Sequence, residues 1–423
     1  MLLIWSGKVD AGRLRGKRLS IGLGSLIGIL ALWIIFPSLV QSKGLPPRLA
    51  PIRERLVREL IDAKLRKGVY FGKAGKSGHY HLPLGSGLTL VYSLKPCLQQ
   101  GIKVYLRKAR VSYGAFVAVE PKTGRIMALV SYSRHKNITG NLALKAGYPA
   151  ASIFKLVTAA AALERGKISP QTRIAYRGNP WLLTRSVLKP NRRLDRRVTT
   201  FKRALAKSNN VVFARVAIKW VGAKNLLDYA EAFGFNQPIP FESSVEVSRA
   251  RISSDRYSLA RIAAGFQGVT LSPLHGALIA AAIANDGIMM KPTLVDRVVT
   301  EQGEVVYRKR FQPWIRAIKS RTAARLRSMM RETITKGTSA KVFRLFRRKT
   351  KGRLSIGGKT GTLNGNNPPG RNEWFVGLAP LEAPRIAIAA LVIKKNGRRG
   401  IKGSQLALKG FKIFFEGKNC QNG

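Results

Sequence analysis

The chain is predicted to fold as a mixed α/β (α+β) domain set behind a membrane anchor. Three observations point there. Pairs of apolar, β-rich runs stand near both ends of the body, helix-forming stretches fill the space between them, and a charge-free segment lies near the N-terminus. Strands at both ends with helices between suggest one sheet that unites the ends of the body. With 423 residues, 45% of them apolar, there is enough chain for a packed core.

Residues 21–40, IGLGSLIGILALWIIFPSLV, carry no charge. Twenty residues at 1.5 Å rise each cross a hydrocarbon core of ~30 Å. No small-residue cleavage site follows, so the segment is expected to stay as a single-pass anchor. Lys8, Arg13, Arg15, Lys17 and Arg18 before it are matched by Lys43, Arg48, Arg53, Arg55 and Arg58 after it, so basic residues set no orientation. The expected layout is a basic tail (1–20), the anchor, a stem and linker (41–110), the main domain (111–415) and a short tail (416–423). Within the stem, 41–50 reads as a Pro-containing linker. Residues 51–66 read as a helix with Ile52, Leu56, Leu60 and Ile61 on one stripe, and 71–87 as a loop.

In the main domain GAFVAVE (114–120) and RIMALVSY (125–132) read as a hairpin turned at Pro121–Gly124, and 372–380 with 385–395 as a second pair. Helices are expected at 153–164, 201–219, 224–233, 257–265, 274–285 and 321–336. Charge is the unusual feature: 76 Lys and Arg against 20 Asp and Glu give +56. The basic residues are spread along the chain with no nucleic-acid-binding motif, so nucleic acid is not the expected partner. Two cysteines, Cys97 and Cys420, form no metal motif and can pair only if the fold brings them together. His79 and His81 alone make a poor tetrahedral site, so no metal and no cofactor is expected.

Chemistry is carried by three short motifs in order: S-x-x-K, S-x-N and K-T-G. S-x-x-K occurs at Ser133/Lys136, Ser152/Lys155 and Ser186/Lys189, and K-T-G begins at Lys122 and Lys359. Ser152 opens SIFKLVTAAAALE, a strong helix former, and residues three apart share a helix face. Lys155 can then reach the Ser152 hydroxyl and act as its base, if burial and nearby cations lower its pKa. The other two pairs sit in loop-like stretches. Ser208-Asn209-Asn210 is the single S-x-N: Ser208 is suited to relay a proton and Asn210 to hold a peptide group or the lysine. Lys359, with the Thr360 and Thr362 hydroxyls around Gly361, suits a carboxylate. Lys122-Thr123-Gly124 reads as a plain hairpin turn.

The order and spacing of these motifs resemble the penicillin-binding transpeptidase family. GAFVAVEPKTGRIMALVS, VTLSPLHGALIAAAIANDG (269–287), KGTSAK (336–341) and GGKTGT…EWFVGLAP (357–380) resemble its flanking segments, over about residues 88–415. The resemblance implies a five-stranded antiparallel sheet with helices on both sides. It also implies acylation of Ser152 by D-Ala-D-Ala stem peptides or by β-lactams, with Thr362 N–H and Ser152 N–H as the oxyanion hole. The acyl-enzyme would then pass to a stem-peptide amine. Such a substrate places the body outside the cytoplasmic membrane, in the periplasm, and the basic tail inside. The ~110 residues before the body are too few for a glycosyltransferase, so a separate membrane-bound polymerase is the expected partner. A D,D-carboxypeptidase using the same site, and a non-catalytic cell-wall scaffold, are the alternatives.

Overall fold

A computed structural model of the chain describes residues 50–66, 78–135, 140–395 and 400–417. The anchor at 21–40, the 1–20 tail, most of the 41–50 linker, most of the 416–423 tail, Lys136 and Cys420 lie outside the described residues. Among the described residues no helix is long and apolar enough to cross a membrane.

Helix α1 (Ala50–Arg66) precedes a hairpin of β1 (His81–Gly85) and β2 (Leu88–Tyr92), then α2 (Pro96–Lys108) and the strands β3 (Tyr113–Val119) and β4 (Ile126–Ser133). A helical middle follows: α3 (Lys155–Glu164), α4 (Phe201–Lys207), α5 (Asn210–Val216), α6 (Ala223–Ala232), α7 (Arg256–Ala264) and α8 (Pro273–Ala284). After β5 (Val295–Thr300) and β6 (Val305–Arg308) come α9 (Ser320–Thr335) and α10 (Ala340–Lys349). The chain closes with β7 (Gly357–Asn366), β8 (Pro369–Ala379), β9 (Ile386–Lys394) and α11 (Gly403–Glu416).

The main sheet has five antiparallel strands in the order β7-β8-β9-β3-β4, so the two ends of the domain meet at the β9–β3 seam. β7 is an edge strand, paired residue for residue with β8 from Gly357↔Leu378 to Asn366↔Pro369. One face of the sheet packs on α2, α10 and α11 through Leu98, Ile102, Phe116, Phe343, Phe375 and Phe411. Phe343 stacks on Phe375 at 5.5 Å between ring centroids, and the Phe375 ring fills the slot that a side chain at Gly358 would occupy. The other face carries α8, which is apolar all round and wholly buried, as a central helix must be. Ser272 caps it by accepting from the His275 N–H, and Pro273 opens it where no N–H is needed.

Several elements depart from the sequence expectations. The stretch expected as a loop contains β1, which joins β2, β5 and β6 in a second, four-stranded sheet. Gly85 and Ser86 at positive φ let this short hairpin close, a turn signal that hid the strand. In α1 the buried residues are Val57, Ile61 and Leu65, spaced by four, rather than the Ile52, Leu56, Leu60 and Ile61 stripe. Ile52 remains 48% exposed. The single helix expected over 201–219 is broken: Ser208 in a left-handed conformation separates α4 from α5, and a π turn follows at Ala217–Val221. Cys97, on α2 beside the core, is not a free thiol.

Candidate active site

Ser152 lies in a 3₁₀ turn, Ala151–Ile153, with α3 beginning only at Lys155, rather than in the first turn of one continuous helix. Ala151 sits at φ +49°, a left-handed conformation that costs a non-glycine residue about 1 kcal/mol. Neighbours hold the turn there. The Trp374 indole N–H donates to Pro149 O at 2.9 Å, and the Ala150 N–H donates to Val269 O. Gly265, at the C-terminal end of α7, presses its backbone on Ala151 from the far side.

Lys155 is fully buried. Its Nζ lies 2.8 Å from Ser152 Oγ, 2.7 Å from Asn210 Oδ1 and 2.5 Å from Ala264 O. Two of these neighbours are carbonyl oxygens, which only accept, and the third is a hydroxyl, which can also donate. That set fits a neutral amine: two N–H donors satisfy the carbonyls, and the lone pair receives the Ser152 proton. Burial is the main cause that holds the Lys155 pKa well below its usual value, with the nearby Lys359 charge second. Burial of an amine against a serine hydroxyl is an arrangement in which a lysine can serve as base for a serine.

The second motif splits its two roles. Asn210 is held by its own Nδ2 donating to Trp181 O and its N–H donating to Pro180 O, both at 2.7 Å, so its Oδ1 is aimed at Lys155. Asn209 caps α5 through the Val212 N–H. Ser208 points its hydroxyl at Lys359 Nζ, 3.0 Å away. Arg215, at the other end of α5, is clamped by Asp195 at 2.7 and 2.9 Å and by two carbonyls. The hydrogen bonds from Arg215 pull the Asp195 pKa down to about 2, so this staple stays charged through neutral pH.

Lys359 is fully buried on β7, and burial lowers its pKa to about 7. Thr360 reaches across to Thr338 with their hydroxyl oxygens 2.6 Å apart. The loop carrying Thr338 rests on α4, its N–H donating to Ala206 O. Gly361 packs against the Ala151–Ile153 turn, leaving only 3.2 Å between a side chain there and the Ala151 Cβ. Ser152, Ser208, Asn210, Thr360, Gly361 and Thr362 all line one cleft of about 580 Å³. Eight expected site residues therefore converge: six on the cleft, with Lys155 and Lys359 buried behind it.

The look-alike motifs do not join them. The Ser133 hydroxyl donates to His135 O. Ser186 is exposed and pairs with the Thr184 hydroxyl at 3.0 Å. Lys122-Thr123-Gly124 is a turn, with Thr123 donating to Glu120 and Gly124 at φ +79° against Lys291 O. Sequence reading missed Thr338, Ala264 with Gly265, and Trp181. KGTSAK resembles a family segment, but nothing in it marks its threonine for a role. Gly265 reads as an ordinary helix-ending glycine, and nothing local marks Trp181.

The coupling of the two lysines gives an expected pH effect. Lys359→Gln removes the positive charge that disfavours protonated Lys155, so the Lys155 pKa should rise. The acid limb of β-lactam acylation, followed by rate against pH with a chromogenic cephalosporin, should move to higher pH. An unmoved limb, or one moved lower, would show that the two amines do not interact.

A family model described as the penicillin binding protein transpeptidase domain matches residues 114–409. The chain belongs to that family. The chain is 30% identical over 332 residues to the peptidoglycan D,D-transpeptidase PbpA of Mycolicibacterium smegmatis, covering 70% of this chain and 64% of that protein. PbpA of Mycobacterium tuberculosis is 30% identical over 335 residues with the same shares. The chain thus spans about 64% of the length of these curated relatives. The crystal structure of M. tuberculosis PBPA superposes with a TM-score of 0.64 at 26% identity, covering 77% of this chain and 81% of that one. An imipenem acyl-enzyme complex of that penicillin-binding protein gives 0.64 at 26% identity, over 77% and 79%. The penicillin-binding transpeptidase fold expected from the motifs is the fold of this chain, with the five-stranded antiparallel sheet in place.

Proposed function

We propose that this chain is a serine D,D-transpeptidase of peptidoglycan, with Ser152 as nucleophile. The observation that carries the reading is the Lys155 amine, bound to Ser152 Oγ and to two carbonyl acceptors. Ser152 Oγ attacks the carbonyl between two terminal D-alanines and its proton passes to Lys155. The C–N bond breaks, the terminal D-alanine leaves with a proton, and the penultimate residue remains as an ester on Ser152. A stem-peptide amine then attacks the ester, forms the cross-link and frees Ser152. Lys359 with Thr360 and Thr338 holds the terminal carboxylate. Ser208, bonded to Lys359, is placed to pass a proton to the leaving amine. N–H groups of Ser152 and Thr362 would stabilise the oxyanion. In a β-lactam the broken amide lies in a ring, so the leaving nitrogen stays attached and the ester persists.

The substrate lies outside the cytoplasm, and the charge-free run 21–40 would hold the body, 111–415, at the outer face of the cytoplasmic membrane, with 1–20 inside. Cross-linking acts on glycan strands already made, so a glycan polymerase must supply them.

Labelling with a fluorescent penicillin tests the nucleophile: wild type should label and Ser152→Ala should not. Equal label on both would refute Ser152. Incubation with a D-Ala-D-Ala-ended peptide and a D-amino acid acceptor separates the outcomes. Exchanged peptide is the transpeptidase result, whereas D-alanine release without exchange would make the chain a carboxypeptidase.

A further inference from the structure

A second cavity, about 710 Å³ and so larger than the catalytic cleft, opens on the helical middle of the domain. Ile174, Leu188, Ile218 and Trp220 give it an apolar lining, to which Arg173, Arg192, Lys219 and Arg256, all exposed, add four positive charges. Asp195, the one carboxylate among the described lining residues, is already taken: its oxygens accept from Arg215, Arg177 and the Asn191 N–H. None of the four exposed cations forms an ion pair among the described residues. Lys219 instead lies over the Trp220 ring, its Nζ 4.8 Å from the centroid. An apolar hollow ringed by unmatched cations suits an anion with an apolar body, and none of the acyl-transfer steps uses it.

Position links this cavity to the catalytic lysine. Lys155 is held by two carbonyl acceptors, Asn210 Oδ1 and Ala264 O, and each belongs to an element that reaches the cavity at its other end. Helix α7 begins with Arg256 on the lining and ends with Ala264. Helix α5 begins with Asn210 and carries Arg215, another lining residue, in its last turn. The loop whose Pro180 and Trp181 carbonyls hold Asn210 runs on to Leu188 and Asn191 on the same lining. One apolar cluster fills the space between: Leu188 and Ile218 pack with Val211, Ala214, Ala260 and Ala264. Close-packed groups of this kind transmit small displacements rather than absorb them.

We infer that this cavity binds a phosphate ester with an apolar body, and that the bound ester raises the rate at which Ser152 is acylated. A phosphate dianion satisfies several guanidinium groups at once, which suits four unpaired cations better than a single carboxylate does. Arg215 already staples α5 to the short strand Arg173–Tyr176 and to the loop, through Ala175 O and Val187 O. An ester bridging Arg256 on α7, Arg173 on that strand and Arg192 in the loop ties α7 into the same assembly. Both acceptors of Lys155 are then fixed, with its amine directed at Ser152 Oγ, so the ligand favours the reactive arrangement over looser ones. Binding is independent of the nucleophile assignment, whereas the rate effect rests on the Ser152–Lys155 pair.

The probes are hexyl phosphate, its two halves (inorganic phosphate and hexanol), and dihexanoyl phosphatidic acid as a lipid headgroup. Calorimetry on the full-length protein in neutral detergent reads binding, and fluorescent-penicillin acylation reads the rate. Hexyl phosphate should bind wild type and Ser152→Ala alike, at least about tenfold more tightly than either half. The double variant Arg173→Gln/Arg192→Gln should lose about tenfold in affinity, with melting and basal acylation as in wild type. Arg173→Lys/Arg192→Lys should keep most of the affinity. At saturation the acylation rate should rise about fivefold or more, the lower end of typical couplings between sites. Tighter binding of the phosphatidic acid than of hexyl phosphate would mark a lipid as the source, and weaker binding a free ester. An affinity no better than that of inorganic phosphate, or one unchanged in the glutamine variant, overturns the site. Binding without faster acylation overturns the rate effect. Protein that binds hexyl phosphate but takes no penicillin refutes the nucleophile and the rate effect together, and leaves the cavity standing.

Discussion

Lys155→Arg should lose acylation by penicillin by about three orders of magnitude or more, the scale on which removing a general base acts. Arginine keeps a positive charge and the donors, but its guanidinium does not give up a proton in proteins. It therefore removes the one property the geometry selects for: a lone pair facing Ser152 Oγ, with Asn210 Oδ1 and Ala264 O taking the two N–H groups. Lys155→Ala should be equally inactive, and it removes a group that is fully buried and whose pKa is lowered by burial first and Lys359 second. A charged amine in that place opposes folding, because the unfolded chain binds the proton more tightly. The same holds for Lys359, so its contribution to stability rises as pH climbs from about 7 toward the usual lysine value. The measurement is the second-order acylation rate by stopped-flow, with thermal melting beside it. An arginine variant that acylates within tenfold of wild type would remove Lys155 from the role of base.

Gly265→Ala should be almost as damaging, from a residue that touches no substrate. A Cβ built on Gly265 would stand 2.1 Å from Ala151 O, 2.4 Å from Ala151 C and 2.9 Å from Ser152 N. All three are backbone atoms of the nucleophile turn, so no side chain can swing aside. Gly265 also sits at φ +87°, where alanine is strained in its own right. The turn or α7 must move, and α7 carries the Ala264 carbonyl that Lys155 needs. Strain of this kind is expected to cost about 2–4 kcal/mol. A displacement near 1 Å at the nucleophile is expected to lose about a hundredfold in acylation. A variant with both normal melting and normal acylation would show that the turn accommodates the methyl group freely.

The three motifs were legible because each is a short run whose spacing encodes one piece of local geometry. Ser152 and Lys155 lie three residues apart and do meet, although through a 3₁₀ turn and not an α-helical one. Four strands of the main sheet were legible for the same reason, since β3, β4, β8 and β9 are apolar runs bounded by turn residues. The rest depended on long-range packing. Thr338 gains its place only because its loop rests on Ala206 and faces Thr360. The break at Ser208 looks helical in sequence, yet the left-handed residue there is what turns its hydroxyl toward Lys359 while Asn210 turns to Lys155. The α1 stripe failed because its burial is decided by the packing of Leu56–Arg66, where Arg58 stands over Tyr307 at 5.9 Å, and not by the most hydrophobic run.

The β9–β3 seam has a consequence for how the molecule matures. β3 and β4 are made early and β7, β8 and β9 last, yet the sheet order requires β3 to pair with β9. Nearly the whole domain must therefore be looped out before its central pairing forms, a high contact order that makes for slow folding. Ser152 and Lys155 come from the early part, and Lys359 from the late strands. A nascent chain halted before β7 holds a serine and a lysine but no carboxylate site and no closed sheet to press them together. Reaction with penicillin should thus appear in one step, after the C-terminal strands have emerged, so an interrupted or truncated copy should remain unlabelled by a fluorescent penicillin.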